Sequence, residues 1–425
     1  MTGSIINEIY KRPFVRPLFF WITGIVLQIC FPLQVVSLVI LAIIMAALLL
    51  SLLLPRKQHI SFIYQNRWVW GVVFAGIMVF LAIQTTGLME QRLNTPEEPG
   101  FLLRKAQEMQ LQMVEKLGLL QLPDAAQSVL ATITLNYRKA MTWEIRNQFS
   151  ITGVSHLLAV SGFHIGIVYA FINLLLSVFP RKNIVSRWIK YVVTMTGVWV
   201  FVYLAGLATA AVRAAVMIAI YSTGNAIGRN SDKYNTLAGA AFCMLVYNPF
   251  YLFDVGFQLS YTAVFFILYL QPRLSKLIKI RNPLISTPWN VLTATIAAQT
   301  GTIFLCFFYF GRSSLVFLFT NLTLSLLATL LIPLTLLWML IPQTIPGIGI
   351  LSSIIETKTR WLMWIVERFA SIPGATVSAH FDLFTLIASY LCLALFFIYF
   401  RLKHYWMLMA SLTVLLVIIC WQFIG

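Results

Sequence analysis

Residues 150–168 read SITGVSHLLAVSGFHIGIV, and the fold is decided by how this stretch is explained. It is apolar enough to begin a membrane-spanning helix, yet it carries Ser155, His156, Ser161 and His164 among small glycines. A polar side chain left alone in hydrocarbon costs several kcal/mol, falling to about 1 to 2 kcal/mol when neighbours satisfy it. These groups are therefore expected to face protein or water. Read as one helix turning about 100° per residue, the stretch puts His164 roughly 80° from His156 and roughly 60° from Ser161. Polar groups then gather on one side, Leu, Val and Ile are left for lipid, and the helix lines a cavity. The plainer explanation, that the four side chains only bond neighbouring helices and hold a bundle together, fits the same pattern. Metal binding does not: His156 and His164 lie about 12 Å apart along such an axis, and no HExxH accompanies them.

Working outward, the 425 residues are 60% hydrophobic and only 10% charged, more apolar surface than a soluble globule needs. Repeated apolar runs without two-residue alternation exclude a barrel and predict an all-α polytopic integral membrane protein. About ten to twelve transmembrane helices are expected, some broken or re-entrant. The net charge of +17 is explained by Lys and Arg in cytoplasmic loops, although attraction of nucleic acid would give the same sign. Cys30, Cys243, Cys306, Cys392 and Cys420 all sit in apolar runs with no CxxC spacing, so they are read as small packing residues.

Four regions are expected along the chain: a three-span segment (1–88), a polar outer linker (89–150), a core (151–345), and an amphipathic helix with two final spans (346–425). Lys11, Arg12 and Arg16 precede the first pair of spans and Arg56, Lys57 and Arg67 follow it, which places the N-terminus in the cytoplasm and makes the first span a retained helix. In the linker, 95–100 reads as a turn. Phe101–Leu120 and a second stretch from a cap near Asp124 to Ile145 read as amphipathic helices at the interface or plugged against the bundle. A helix over 154–179 returns to the inside at Arg181, Lys182, Arg187 and Lys190.

Further polar residues punctuate the later spans. Arg213 follows a Gly- and Ala-rich bend and is expected to snorkel or to face a wet interior. In DVGFQLSYTAV, Asp254, Gln258, Ser260 and Tyr261 open a helix that Asp254 can cap. Gln299 lies at mid-depth in the span from Trp289. The apolar run 313–341, too long for one span, is read as broken or kinked at Asn321 and Pro333; if Arg401, Lys403 and His404 are cytoplasmic it returns to the side it left as a re-entrant pair, and the C-terminal orientation stays open.

The chain resembles the ComEC family of DNA-internalisation channel proteins. HLLAVSGFHIG at 156–166 is similar to that family's most recognisable motif, and LNYRKAMTWEIRNQFSITGVS leads into it as the family's lead-in helix does. Gly206 with Arg213, the segment from Asn248 to Val264, and the later Asn321 and Pro333 fall in the family's order. The motifs run from about residue 125 to 340, and the likeness extends more loosely over the first three spans. The family's OB-like and metallo-β-lactamase-like modules are not expected here, because residues 89–150 look helical and no HxHxDH cluster occurs.

The resemblance implies import of single-stranded DNA across the cytoplasmic membrane, with membrane lipid around the chain, a separate DNA receptor outside and an ATPase motor inside. The chain has no Walker loop of its own, and no catalytic residue, metal or other cofactor is expected. A strand needs a wet route whose walls are not so cationic that phosphates stay bound. The sparse groups His156, Ser161, His164, Arg213, Asp254, Gln258, Ser260 and Gln299 suit that as a lining, with Arg213 on phosphate and Asp254 paired to Arg213 or a histidine. Three rival readings remain: a proton-coupled transporter of a small anion or lipid, a membrane hydrolase using Ser161 and His164, and a degenerate relative without function.

Overall fold

The computed structural model describes residues 12–34, 37–39, 46, 67–93, 100–178, 183–228 and 232–424. The expected second span to Leu54, the turn at 95–99 and the basic residues Lys11, Arg56, Lys57, Arg181, Lys182 and Arg229 lie outside them. The fold is all-α and polytopic. Among the described residues five helices are long and apolar enough to cross a membrane: Trp70–Arg92, Pro283–Phe310, Phe317–Leu340, Leu383–Leu402 and Tyr405–Gln422. Val15–Cys30 and Gly162–Val178 are shorter apolar helices. The contacts divide the chain into two units.

The first unit comprises residues up to Ala106, Ile172–Val202 and Thr209–Tyr261. Helix α1 (Val15–Cys30) ends at Phe31-Pro32 as expected and packs along α2 (Arg67–Leu93). Residues 101–106 begin α3 (Phe101–Leu117), and 172–175 end α6 (Gly162–Leu175). Next come α7 (Ile184–Leu204), which takes Arg187 and the buried Lys190 out of the expected loop and into a helix, and α8 (Thr209–Ala226). The last helices are α9 (Lys233–Tyr247), which packs on α1 and α8, and the start of α10 (Val255–Leu274). Trp21, Ile25, Ala82, Leu245 and Phe257 form the core, and the Trp21 indole N–H donates to the Leu245 carbonyl at 3.2 Å. Between helices in lipid, such a core is stabilised by close packing and satisfied polar groups more than by exclusion of water.

The second unit comprises Gln107–Phe171, Tyr203–Ala208 and Thr262–Gly425. Its centre is α4 (Asp124–Leu135), in which every residue from Ser128 to Leu135 is buried. The second helix expected in the 89–150 linker is thus buried in the core of this unit. Its hydroxyls are satisfied locally: Thr132 and Thr134 donate to the carbonyls four residues back, each at 2.7 Å. Pro123 occupies the N-cap position, and Asp124 is the first helical residue. The helix stops at Asn136, which adopts φ 59° and accepts the Val160 N–H on its side-chain oxygen at 3.3 Å. A new helix, α5 (Trp143–Ile151), then begins, so the expected single helix through 145 is two. Around α4 pack α12 (Phe317–Leu340) and α13 (Ile348–Ala370). Helix α11 (Pro283–Phe310) contacts α12 and α14 (Leu383–Leu402), and α14 pairs with α15 (Tyr405–Ile424).

Two expectations about helix continuity are corrected. The interruption expected at Asn321 and Pro333 is absent: α12 runs unbroken through both as one helix long enough to cross a membrane, and no re-entrant pair forms. The excess length goes instead into β1 (Arg312–Ser314), which follows Gly311 in its left-handed conformation and pairs antiparallel with β2 (Thr376–Ser378). The central stretch, conversely, is not one helix. It is a 3-10 turn at Ser155–Leu158, an extended Ala159 at φ −133° and ψ 136°, and then α6 from Gly162. Gly153 sets this break. It sits at φ 75°, and a Cβ there would lie 2.7 Å from the Ser314 Cβ and 2.8 Å from the Phe317 Cβ, so a side chain is excluded on both counts.

Candidate functional site

The helical angles expected between His156, Ser161 and His164 do not apply across that break, and a different geometry takes their place. Ser161 precedes α6 and accepts the Ile165 N–H on its carbonyl. The His164 ring folds back, so that its Nδ1 accepts the Ser161 backbone N–H at 3.3 Å and lies 3.1 Å from the Ser161 hydroxyl. Histidine, three residues on, thus takes the N–H that Glu or Gln accepts in one half of a capping box. This contact fixes the tautomer: Nδ1 accepts, so the proton is on Nε2. That Nε2–H is fully buried and has no partner among the described residues.

His156 is exposed and hydrogen-bonds the Asn321 side chain and the Gly153 backbone. Asn321 in turn donates to the Thr295 hydroxyl at 2.9 Å, and one turn along α11 the Gln299 amide donates to the Ser313 hydroxyl at 3.0 Å. Polar groups from the 3-10 turn, α12, α11 and β1 are thereby joined in rows within the second unit. Asn321 is a junction in this row and not a helix break. Its partner Thr295, and Ser313 opposite Gln299, were missed in the sequence; an asparagine surrounded by Leu and Thr in an apolar run was the available signal.

In the first unit the expected pairing of Asp254 with Arg213 is present. The Arg213 guanidinium donates Nη1–H to the Asp254 carboxylate at 3.2 Å, with the arginine side chain 4% exposed and the aspartate 46%. The same carboxylate oxygen accepts the Phe257 N–H at 2.7 Å, so capping and ion pairing coexist. Gly256 makes room for this: a Cβ there would stand 3.1 Å from Arg213 Nη2 and 3.2 Å from the carboxylate. Arg213 Nε and the Tyr261 hydroxyl are buried and have no partner among the described residues, and both Tyr251 and Tyr261 lie within electrostatic reach of the guanidinium. Gln258 fastens the preceding turn by donating to the Leu252 carbonyl at 3.0 Å, and Ser260 is half-buried on α10. The expected lining residues therefore fall in two sets, His156, Ser161, His164 and Gln299 in one unit and Arg213, Asp254, Gln258 and Ser260 in the other. No cluster of three or more potential metal ligands occurs among the described residues.

Five helices long and apolar enough to cross a membrane, together with buried polar atoms that have no partner among the described residues, define a polytopic membrane protein. The chain belongs to the competence protein family, whose family model matches residues 133–403, a range that contains all eight of these residues. It is similar to ComE operon protein 3 of Bacillus subtilis (strain 168), with 29% identity over 201 residues, covering 46% of this chain and 24% of that protein. The chain therefore matches about a quarter of that relative's length. No solved structure matches it.

Proposed function

We propose that the chain forms the membrane core of a route by which single-stranded DNA crosses the cytoplasmic membrane during natural transformation, its N-terminus inside. Family membership supports a role in competence. The observation that carries the passage itself is Arg213, a guanidinium buried in an apolar helix with hydrogen-bonding capacity left over and a half-exposed aspartate beside it. A buried cation costs too much to serve packing alone, and one whose counter-charge is half-exposed is suited to meet a passing phosphate. The other expected lining residues, His156, Ser161, His164 and Gln299 in one unit and Gln258 and Ser260 in the other, are neutral hydrogen-bonding groups, which let a strand slide where a dense array of cations would hold it. Capture outside and ATP-driven traction inside fall to a separate receptor and a cytoplasmic motor.

The test is uptake of labelled DNA by a deletion strain carrying the chain or its Arg213→Ala variant, with membrane insertion checked by immunoblot. The wild-type chain is expected to restore uptake and the variant to lose it while still inserting. Normal uptake by the deletion strain overturns the function, and normal uptake by the variant removes Arg213 from it.

A further inference from the structure

Residues 137–146, YRKAMTWEIR, connect α4 to α5 and begin the latter. Their inner side is fastened: Met141 and Ile145 are buried, the Met141 N–H donates to the Arg138 carbonyl at 3.2 Å, and Thr142 caps α5 by accepting the Ile145 N–H at 3.4 Å. The outer side presents Arg138, Lys139, Trp143 and Arg146, with Trp143 77% exposed. Arg146 donates to the Arg138 carbonyl at 2.9 Å, which draws one guanidinium toward the other. The surrounding protein and then the Arg146 charge lower the Arg138 pKa from its ordinary value. Arg312 of β1 joins from beyond Asn147, to whose side-chain oxygen it donates at 3.0 Å.

None of these four cations has a carboxylate partner among the described residues, and the segment's single acid is the exposed Glu144. Arg146 and Arg312 are held by neutral carbonyl and amide oxygens and Arg138 and Lys139 stand exposed beside Arg146, so these cations keep their counter-charge to find, and a polyanion supplies it. Trp143 stands one helical turn before Arg146 and offers an open ring face, which phosphate alone does not need and a nucleobase does.

We propose that this patch is the receiving surface for single-stranded nucleic acid, its phosphates on Arg138, Lys139, Arg146 and Arg312 and a base stacked on Trp143. This rests on the reading of the chain as a DNA conduit and names where the strand first docks. Anionic lipid headgroups with Trp143 as an interfacial anchor are the competing occupant.

The experiment uses the full chain in nanodiscs of phosphatidylcholine alone, with a fluorescent oligothymidylate about 20 nucleotides long and an abasic strand of equal length. Arg138→Gln with Arg146→Gln is expected to weaken oligothymidylate binding about tenfold and to reduce the slope of log affinity against log salt by about 1.4, two contacts at the single-strand value. Trp143→Ala is expected to weaken the oligothymidylate about tenfold, leave the abasic strand unchanged, and be rescued by Trp143→Phe. A double variant that binds like the wild type overturns the assignment. So does a wild-type chain that ignores DNA yet is retained on phosphatidylglycerol vesicles through the same two arginines. Restoration of uptake in the deletion strain is read separately, so a chain that restores uptake without dependence on the patch leaves the conduit standing and removes only its docking surface.

Discussion

At the scale of single residues, the serine and histidine of the central motif are explained by what they do for each other. Ser161 and His164 close a cap across the start of α6, a contact that on sequence alone resembles a nucleophile beside its base. Ser161→Ala removes only the hydroxyl beside His164 Nδ1 and is expected to lower stability by about 0.5–1.5 kcal/mol, and His164→Ala, which also strips the acceptor from the Ser161 N–H, to lower it by more. Thermal unfolding in detergent measures both, and a serine-directed phosphonate should leave the wild type unlabelled; labelling would reinstate the hydrolase. Asp254→Asn separates the aspartate's two roles, because asparagine still caps α10 while the charge opposite Arg213 disappears. The expected loss is about 1–3 kcal/mol, below that of a fully buried pair because the carboxylate is half-exposed. Adding Arg213→Met should return most of it in a double-mutant cycle, and an additive outcome would mean that the two side chains are not coupled. The Arg213 and Asp254 pairing was legible in the sequence because two opposite charges in apolar spans have few other partners. The Ser161 and His164 contact was not, because helical angles presume a helix and Ser161 precedes one.

At the scale of elements, apolar periodicity located most helices and misplaced the breaks. Breaks in this chain are set by tertiary contacts that no local window contains. Gly153 is held against β1 and α12, and Asn136 is held by the Val160 N–H, so the chain turns at both places. Pro333 has the strongest breaking signal in the sequence and breaks nothing, since a buried helix packed on both sides absorbs one missing N–H. Pro333→Ala is accordingly expected to keep DNA uptake and to leave the melting temperature unchanged or raised, because the Thr329 carbonyl regains a donor. A fall in uptake with the protein intact would identify a hinge there.

At the scale of the whole molecule, composition alone was enough for an all-α membrane protein, and positive charge in the loops was enough to propose an orientation. Single cysteines in a cysteine-free background test that orientation. Lys139→Cys is expected to react with a membrane-impermeant maleimide in intact spheroplasts and Ser186→Cys only after permeabilisation; the reverse pattern would invert the topology. What the sequence did not disclose is the small clasp of β1 and β2, because three-residue strands carry no periodicity to detect. That clasp has a consequence for the newborn chain. Ser313 belongs to it and also receives the Gln299 amide, yet its partner strand lies beyond the whole of α12 and α13. While the ribosome is still making those two helices, the latch has no counterpart, so the strand that holds Ser313 opposite Gln299 is pinned only after α12 and α13 have been synthesised.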